Sequence, residues 1–153
     1  MKHIKVLYID DEENNLHSFR STFRKTLDIY TAISPEEGRK ILKKIEDIAI
    51  VLVDFKMPIE NGIEFFASMM KDYPNPTRIM ITAYADTKVL TDAINRCHIF
   101  NLILKPWDLD LLTDSIHAAY EQYRTKKEDK KTITHLLKAN RFLQDFVNNN
   151  KRG

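Results

Sequence analysis

The sequence predicts an α/β fold: a doubly wound, five-stranded parallel sheet with helices on both faces and an extended helix at the C-terminal end. Three observations carry that reading. Short apolar runs alternate strictly with segments of helical spacing across residues 4–122. The runs are apolar nearly throughout, as strands covered on both faces require. Residues 108–150 contain neither Gly nor Pro, so nothing obvious breaks a last helix. Strict alternation of strand and helix favours parallel pairing through right-handed crossovers.

Each element follows in order. Ile4–Ile9 is a strand, interrupted only by Lys5 and ended by acids. Leu16, Phe19, Phe23 and Leu27 recur at helical spacing and mark a first helix. Residues 28–33 read as the second strand. Ser34-Pro35-Glu36-Glu37 is a capping box with proline at the first helical position, and Ile41, Leu42 and Ile45 give that helix its apolar face. Residues 48–53 form a buried strand. Asn61 with Glu64 caps a third helix whose inner face holds Phe65, Phe66, Met69 and Met70. Residues 78–82 are a fourth strand, 86–97 a fourth helix and 101–104 a fifth strand, and a fifth helix starts after Asp108.

Composition bounds the class. A chain of 153 residues, 43% hydrophobic and 30% charged, fits one soluble domain with a modest extension. The first apolar run is too short and too soon charged for a signal peptide or a membrane span. The single cysteine, Cys97, excludes an internal disulfide and suits a reducing cytoplasm. His3, His17, His98, His117 and His135 show no metal-ligand spacing, so no zinc site is expected. Charge divides the chain near residue 123. Residues 124–153 hold nine Lys/Arg against three Asp/Glu, whereas residues 1–123 hold 15 against 19. The expected domains are therefore 1–123 and a basic helical extension, 124–153.

Ligands of doubly wound sheets bind beyond the carboxyl ends of the strands. Asp10 and Asp11 follow the first strand, Asp54 the third, Thr82 ends the fourth, and Lys105 with Pro106 follows the fifth. Singly, each has an ordinary structural explanation as a turn, cap or surface residue. Together they place three carboxylates, a hydroxyl and an ammonium at one edge. Clustered carboxylates repel, and a divalent cation relieves the repulsion. Oxygen donors alone suit Mg²⁺. Asp11 and Asp54 are expected to ligate directly, Asp10 mostly through water, and the backbone carbonyl of Lys56 to add a ligand. Attack by an Asp54 oxygen on a phosphoryl donor would give an acyl phosphate, with Lys105 and Thr82 stabilising the transferred group.

Four segments carry a resemblance: VLYIDDEENN (6–15), IVLVDFKMPIENGIEFF (50–66), RIMITAYAD (78–86) and LILKPWD (102–108). With them, residues 4–122 resemble the receiver domains of two-component signalling proteins, the CheY-like superfamily. The D-x-x-M-P-x-x-x-G pattern from Asp54 through Met57, Pro58 and Gly62 is its most specific part. The resemblance implies a flavodoxin-like strand order, 2-1-3-4-5. It implies Asp10 and Asp11 as the acidic pair, Asp54 as phosphoacceptor, Thr82 as switch hydroxyl and Lys105 as the family's lysine. It also implies a histidine kinase or histidine phosphotransfer protein as phosphodonor, and a chain whose only reactions are phosphorylation and dephosphorylation of itself. At one place the sequence departs from the pattern: Leu102 stands where the family usually carries Tyr or Phe, with Phe100 two residues earlier. Lys56 and Tyr84 occupy positions that tune dephosphorylation in the family.

The alternative function is a Mg²⁺-dependent aspartyl-phosphate hydrolase of the haloacid-dehalogenase type. That family places its acids as D-x-D after the first strand, whereas Asp10 and Asp11 are adjacent. DNA binding is not expected, because residues after 123 are too few for a three-helix reader. In the tail, residues 124–132 contain no apolar side chain, and apolar spacing resumes at Ile133, Leu136, Leu137, Leu143, Phe146 and Val147. A continuous final helix of about 40 residues would be ~60 Å long, and a bend near Glu128-Asp129 is the alternative. The resumed face is expected to fold back on the receiver's own surface, to pair with another chain, most simply a second copy with Asn140 at the seam, or to serve as a linker into an output module.

Overall fold

The structure, a computed structural model, describes residues 4–83 and 87–151. Its elements are β1 (Ile4–Ile9), α1 (Glu13–Phe23), β2 (Leu27–Ala32), α2 (Pro35–Lys44), β3 (Ile50–Asp54), α3 (Gly62–Asp72), β4 (Thr77–Thr82), α4 (Thr87–Cys97), β5 (Asn101–Leu104) and α5 (Leu109–Asn150). The strands form one sheet in the order β2-β1-β3-β4-β5, and every neighbouring pair is parallel. This is the doubly wound, flavodoxin-like arrangement that the sequence predicts.

Alternation along β1 assigns side chains to the two faces. Val6 and Tyr8 pack with Leu16, Phe19 and Phe23 of α1 and with Leu112, Ile116 and Ala119 of α5. Leu7 and Ile9 pack with Leu42 of α2, Phe65, Phe66 and Met69 of α3, and Ala93 and Cys97 of α4. Each fully buried Leu, Ile or Phe contributes ~1.5–3 kcal/mol, so the sheet is held firmly from both sides.

Local signals mostly act as expected, with two corrections. Leu27 starts β2 and does not extend the first helix. Arg24 closes that helix onto Arg20, Thr26 N–H turns back to Phe23, and Leu27 then lies in register with Ile4. At Ser34 half the expected capping box is present: the Glu37 N–H donates to Ser34 Oγ, but the Glu37 carboxylate accepts from the N–H of Ile33. The box at Asn61 and Glu64 is complete in both directions. Strand β3 runs through Asp54, so the acid is part of the strand.

The chain separates into two units, one ending at Tyr123 and one beginning at Arg124. Within the first, α5 buries Leu112, Ser115, Ile116, Ala119 and Tyr123. Within the second, every described residue is exposed. Among the described residues, no helix is long and apolar enough to cross a membrane.

Candidate functional site

Parallel register brings the strand ends to one level. Ile9 lies beside Val53, Asp54 beside Ile81, and Thr82 beside Leu104. Asp10, Asp54, Thr82 and Lys105 therefore meet at one edge although they are far apart in sequence. Carboxylate oxygens of Asp10, Asp11 and Asp54 lie within 4.8 Å of one another. Asp10 and Asp54 are buried and Asp11 is exposed. An open cleft over them is lined by Glu12, Asn15, Asp54, Lys56, Thr82, Ala83, Lys105 and Pro106.

Lys105 links the two buried acids. Its ammonium donates to Asp10 Oδ2 at 2.8 Å and lies 3.2 Å from Asp54 Oδ2. Burial alone would lower the Lys105 pKa, but the bond to Asp10 and the Asp54 charge outweigh it and raise it. Asp54 responds the other way. Burial first, then the Asp10 charge, push its carboxyl up to about 6 against the opposing pull of Lys105. One ammonium is thus shared by two acids, and it offsets only part of what burial and the Asp10 charge impose on Asp54.

Asp10 is held from all sides. Oδ2 also accepts from the Tyr8 hydroxyl at 2.7 Å and from Asn15 Nδ2 at 3.1 Å, while Oδ1 accepts from the Glu12 N–H. Tyr8 was not among the expected site residues. It stands out in retrospect as the one side chain with a hydroxyl in β1, two residues before Asp10 and so on the same face. Burial, then Asp10, raise its pKa far above the ordinary phenol value. Its ring stacks edge-on against Phe19 and against Trp107, which follows Lys105 and Pro106.

The loop after Asp54 is fixed by contacts that sequence spacing did not reveal. A Cβ on Gly62 would stand 2.6 Å from the Asp54 carbonyl oxygen, so the glycine lets α3 begin against the backbone of Asp54. Gly62 N–H also donates to the Phe55 carbonyl at 2.8 Å. From α2, Arg39 forms a two-pronged ion pair with Glu60 and lies over the Phe65 ring. Between these anchors Ile59 is fully exposed with φ of 74°, a left-handed backbone that β-branched residues seldom adopt.

Thr82 is buried at the strand end, and its carbonyl accepts from the Lys105 N–H. Lys56 is exposed at the cleft's rim. Leu102 is half-buried against the α3–α4 side of the sheet, and Phe100 lies just outside β5 and is exposed. Tyr84 lies outside the described residues. The oxygen-only donor set, two members of it buried and sharing one cation, fits a small divalent ion.

The family model for the response regulator receiver domain matches residues 6–117. The chain belongs to that family. Among curated proteins, this receiver domain is 32% identical over 120 residues to the hydrogenase transcriptional regulatory protein HoxA of Cupriavidus necator, covering 78% of the chain and 25% of that protein. It is 31% identical over 137 residues to the regulatory protein AtoC of Escherichia coli, covering 88% of the chain and 28% of that protein. The chain thus spans about a quarter of the length of these relatives. A response regulator receiver domain protein from Clostridium thermocellum superposes with a TM-score of 0.74 at 26% identity, over 80% of this chain and 98% of that one. As a receiver domain the chain is a phosphoaccepting signalling switch rather than a classical enzyme.

Proposed function

We propose that Asp54 is the phosphoacceptor and that residues 1–123 form the receiver domain. The observation that carries this reading is the Lys105 bridge between two buried acids, which leaves Asp54 incompletely neutralised at the floor of an open cleft. An Asp54 oxygen attacks the phosphorus of a phosphohistidine on a histidine kinase or phosphotransfer protein. The new O–P bond forms as the P–N bond breaks, and the imidazole leaves with the electron pair. Lys105, already at the acceptor, pairs with the arriving phosphoryl oxygens, and Thr82 donates its hydroxyl to them. Asp10, locked by Tyr8 and Asn15, keeps Lys105 on station.

Asp10, Asp11, Asp54 and the Lys56 carbonyl would hold Mg²⁺. Its charge would offset repulsion between the acids and the incoming phosphoryl group. Hydrolysis of the acyl phosphate in the same cleft returns the switch, with Lys56 at the rim. A cytoplasmic setting suits the free Cys97. We further read residues 124–153 as a self-association helix, because an exposed apolar face is poorly tolerated in water.

The test is direct. Acetyl phosphate with Mg²⁺ should add one phosphoryl mass to the intact chain, and excess chelator should stop it. Asp54→Asn should accept none, and Asp11→Ala should lose both ion binding and phosphorylation. Phosphorylation of the Asn variant at the wild-type rate would reject the assignment.

A further inference from the structure

The second unit carries a pattern more specific than an apolar patch. Ile133, Leu136, Asn140, Leu143 and Val147 are spaced 3, 4, 3 and 4 residues apart, and all are exposed on α5. In heptad notation Ile133, Asn140 and Val147 take position a, and Leu136 and Leu143 take d. Leu137 at e and Phe146 at g flank this seam, while Phe142 lies outside it. β-Branched residues at a with leucine at d select two parallel strands. We propose that α5 pairs with a second copy of this chain as a short parallel coiled coil, in register about Asn140. The inference rests on the reading of the tail as a self-association helix and assigns its partner, direction and alignment.

Asn140 decides the alignment. Inside an apolar seam its amide needs a hydrogen-bond partner. Parallel and in register, layer a faces layer a, so the two Asn140 side chains meet and satisfy each other. In an antiparallel pair a faces d, and Asn140 would lie against Leu143. A slip of one heptad sets it against Ile133 or Val147. Self-pairing in one register avoids the penalty with no polar group required from another sequence, which makes a second copy the fitting occupant.

Charge sets where the seam begins. Residues 124–132 contain Arg124, Lys126, Lys127, Lys130 and Lys131 against Glu128 and Asp129. Parallel pairing brings these like-charged stretches side by side, where they repel. Contact therefore starts at Ile133, and added salt tightens it. A seam of about two heptads is near the lower limit for helix pairing, so association is weak and concentration-dependent.

The experiment uses the full chain. Light scattering should show dimer growing in from tens to hundreds of micromolar. A chain monomeric throughout that range overturns the self-association reading itself. If dimers form, Leu143→Cys tests direction. Under mild oxidation it should give a covalent dimer, whereas the wild-type chain, whose Cys97 is buried, should not. Preferential linking of Leu136→Cys to Val147→Cys in a mixture overturns the parallel arrangement while leaving self-association intact. Asn140→Val should tighten association roughly tenfold and allow crosslinks in shifted registers. An unchanged affinity and crosslink pattern removes Asn140 from the seam and overturns the register.

Discussion

The two edges of the sheet solve the same problem differently. Each buries charge, and each contains backbone with positive φ. At the amino edge of β4, buried Arg78 has no carboxylate partner among the described contacts. Its Nε donates to the carbonyl of Cys97, the last residue of α4, and its Nη1 to the carbonyls of Pro74 and Pro76. Those groups carry partial negative charge at a helix end and before a strand, so three carbonyls hold the cation without a counter-ion. At the carboxyl edge two acids divide one ammonium. Positive φ follows the same division. Asp47 and His98, beside the amino edge, are residue types that tolerate the left-handed region, whereas the loop after Asp54 places Ile59 there. One edge is settled for stability, and the other retains costs where chemistry is expected.

Removing the settled charge should do most harm. Arg78→Met leaves three carbonyls without their donor and should destabilise the fold by ~3 kcal/mol. Urea denaturation should show this loss. Phosphorylation by acetyl phosphate should persist wherever the variant is folded. A variant as stable as wild type would erase the contrast between the edges.

Removing the unsettled charge should help. The Asp54 carboxyl titrates at about 6 when folded and near 3.8 ordinarily, so its ionised form opposes folding. Without divalent cation, Asp54→Asn should stabilise by ~2 kcal/mol above pH 6. The gain should shrink through the window from about 6 to 3.8 and vanish below it, where Asp54 is protonated in both states. Denaturation midpoints of both chains across pH 3.5–8 would check the sign. An equal gain at every pH would tie the effect to shape rather than charge.

The smallest effect belongs to the loop. Ile59 buries nothing, so Ile59→Asn forfeits no packing and relieves the left-handed backbone, with an expected gain of ~0.5–1 kcal/mol. Phosphorylation by a small donor should be unaffected. A loss of stability would mean that the Ile59 side chain has a role its exposure conceals.

Much of this edge was legible because strand ends are written in sequence. Asp10, Asp54, Thr82 and Lys105 each follow or end an apolar run, and parallel topology alone brings them together. Leu27 was misassigned because its spacing from Phe23 continues the helical period while its pairing with Ile4 is long-range. Periodicity registers only the former. The bonds that position the site were hidden for two reasons, one local and one long-range. Tyr8 to Asp10 spans a single side-chain alternation that any strand could hold, and Arg39 reaches Glu60 across 21 residues. Gly62 was visible as part of a motif, but its need for a missing Cβ appears only where α3 meets the Asp54 carbonyl. Leu102 shows the converse, since an absent aromatic was plain in sequence.

Trp107 is the only indole in the chain. It stands edge-on to Tyr8 and Phe19, two residues beyond the ammonium that links the acids. Its emission therefore comes from a point joined by one stacked ring to Asp10 and by two peptide bonds to Lys105. No other residue competes at red-edge excitation, so the protein holds its own optical probe beside the proposed site of phosphoryl transfer. Stopped-flow fluorescence would time the proposed metal entry and phosphoryl arrival on unlabelled protein, and Tyr8→Phe would report how much of that signal travels through the phenol.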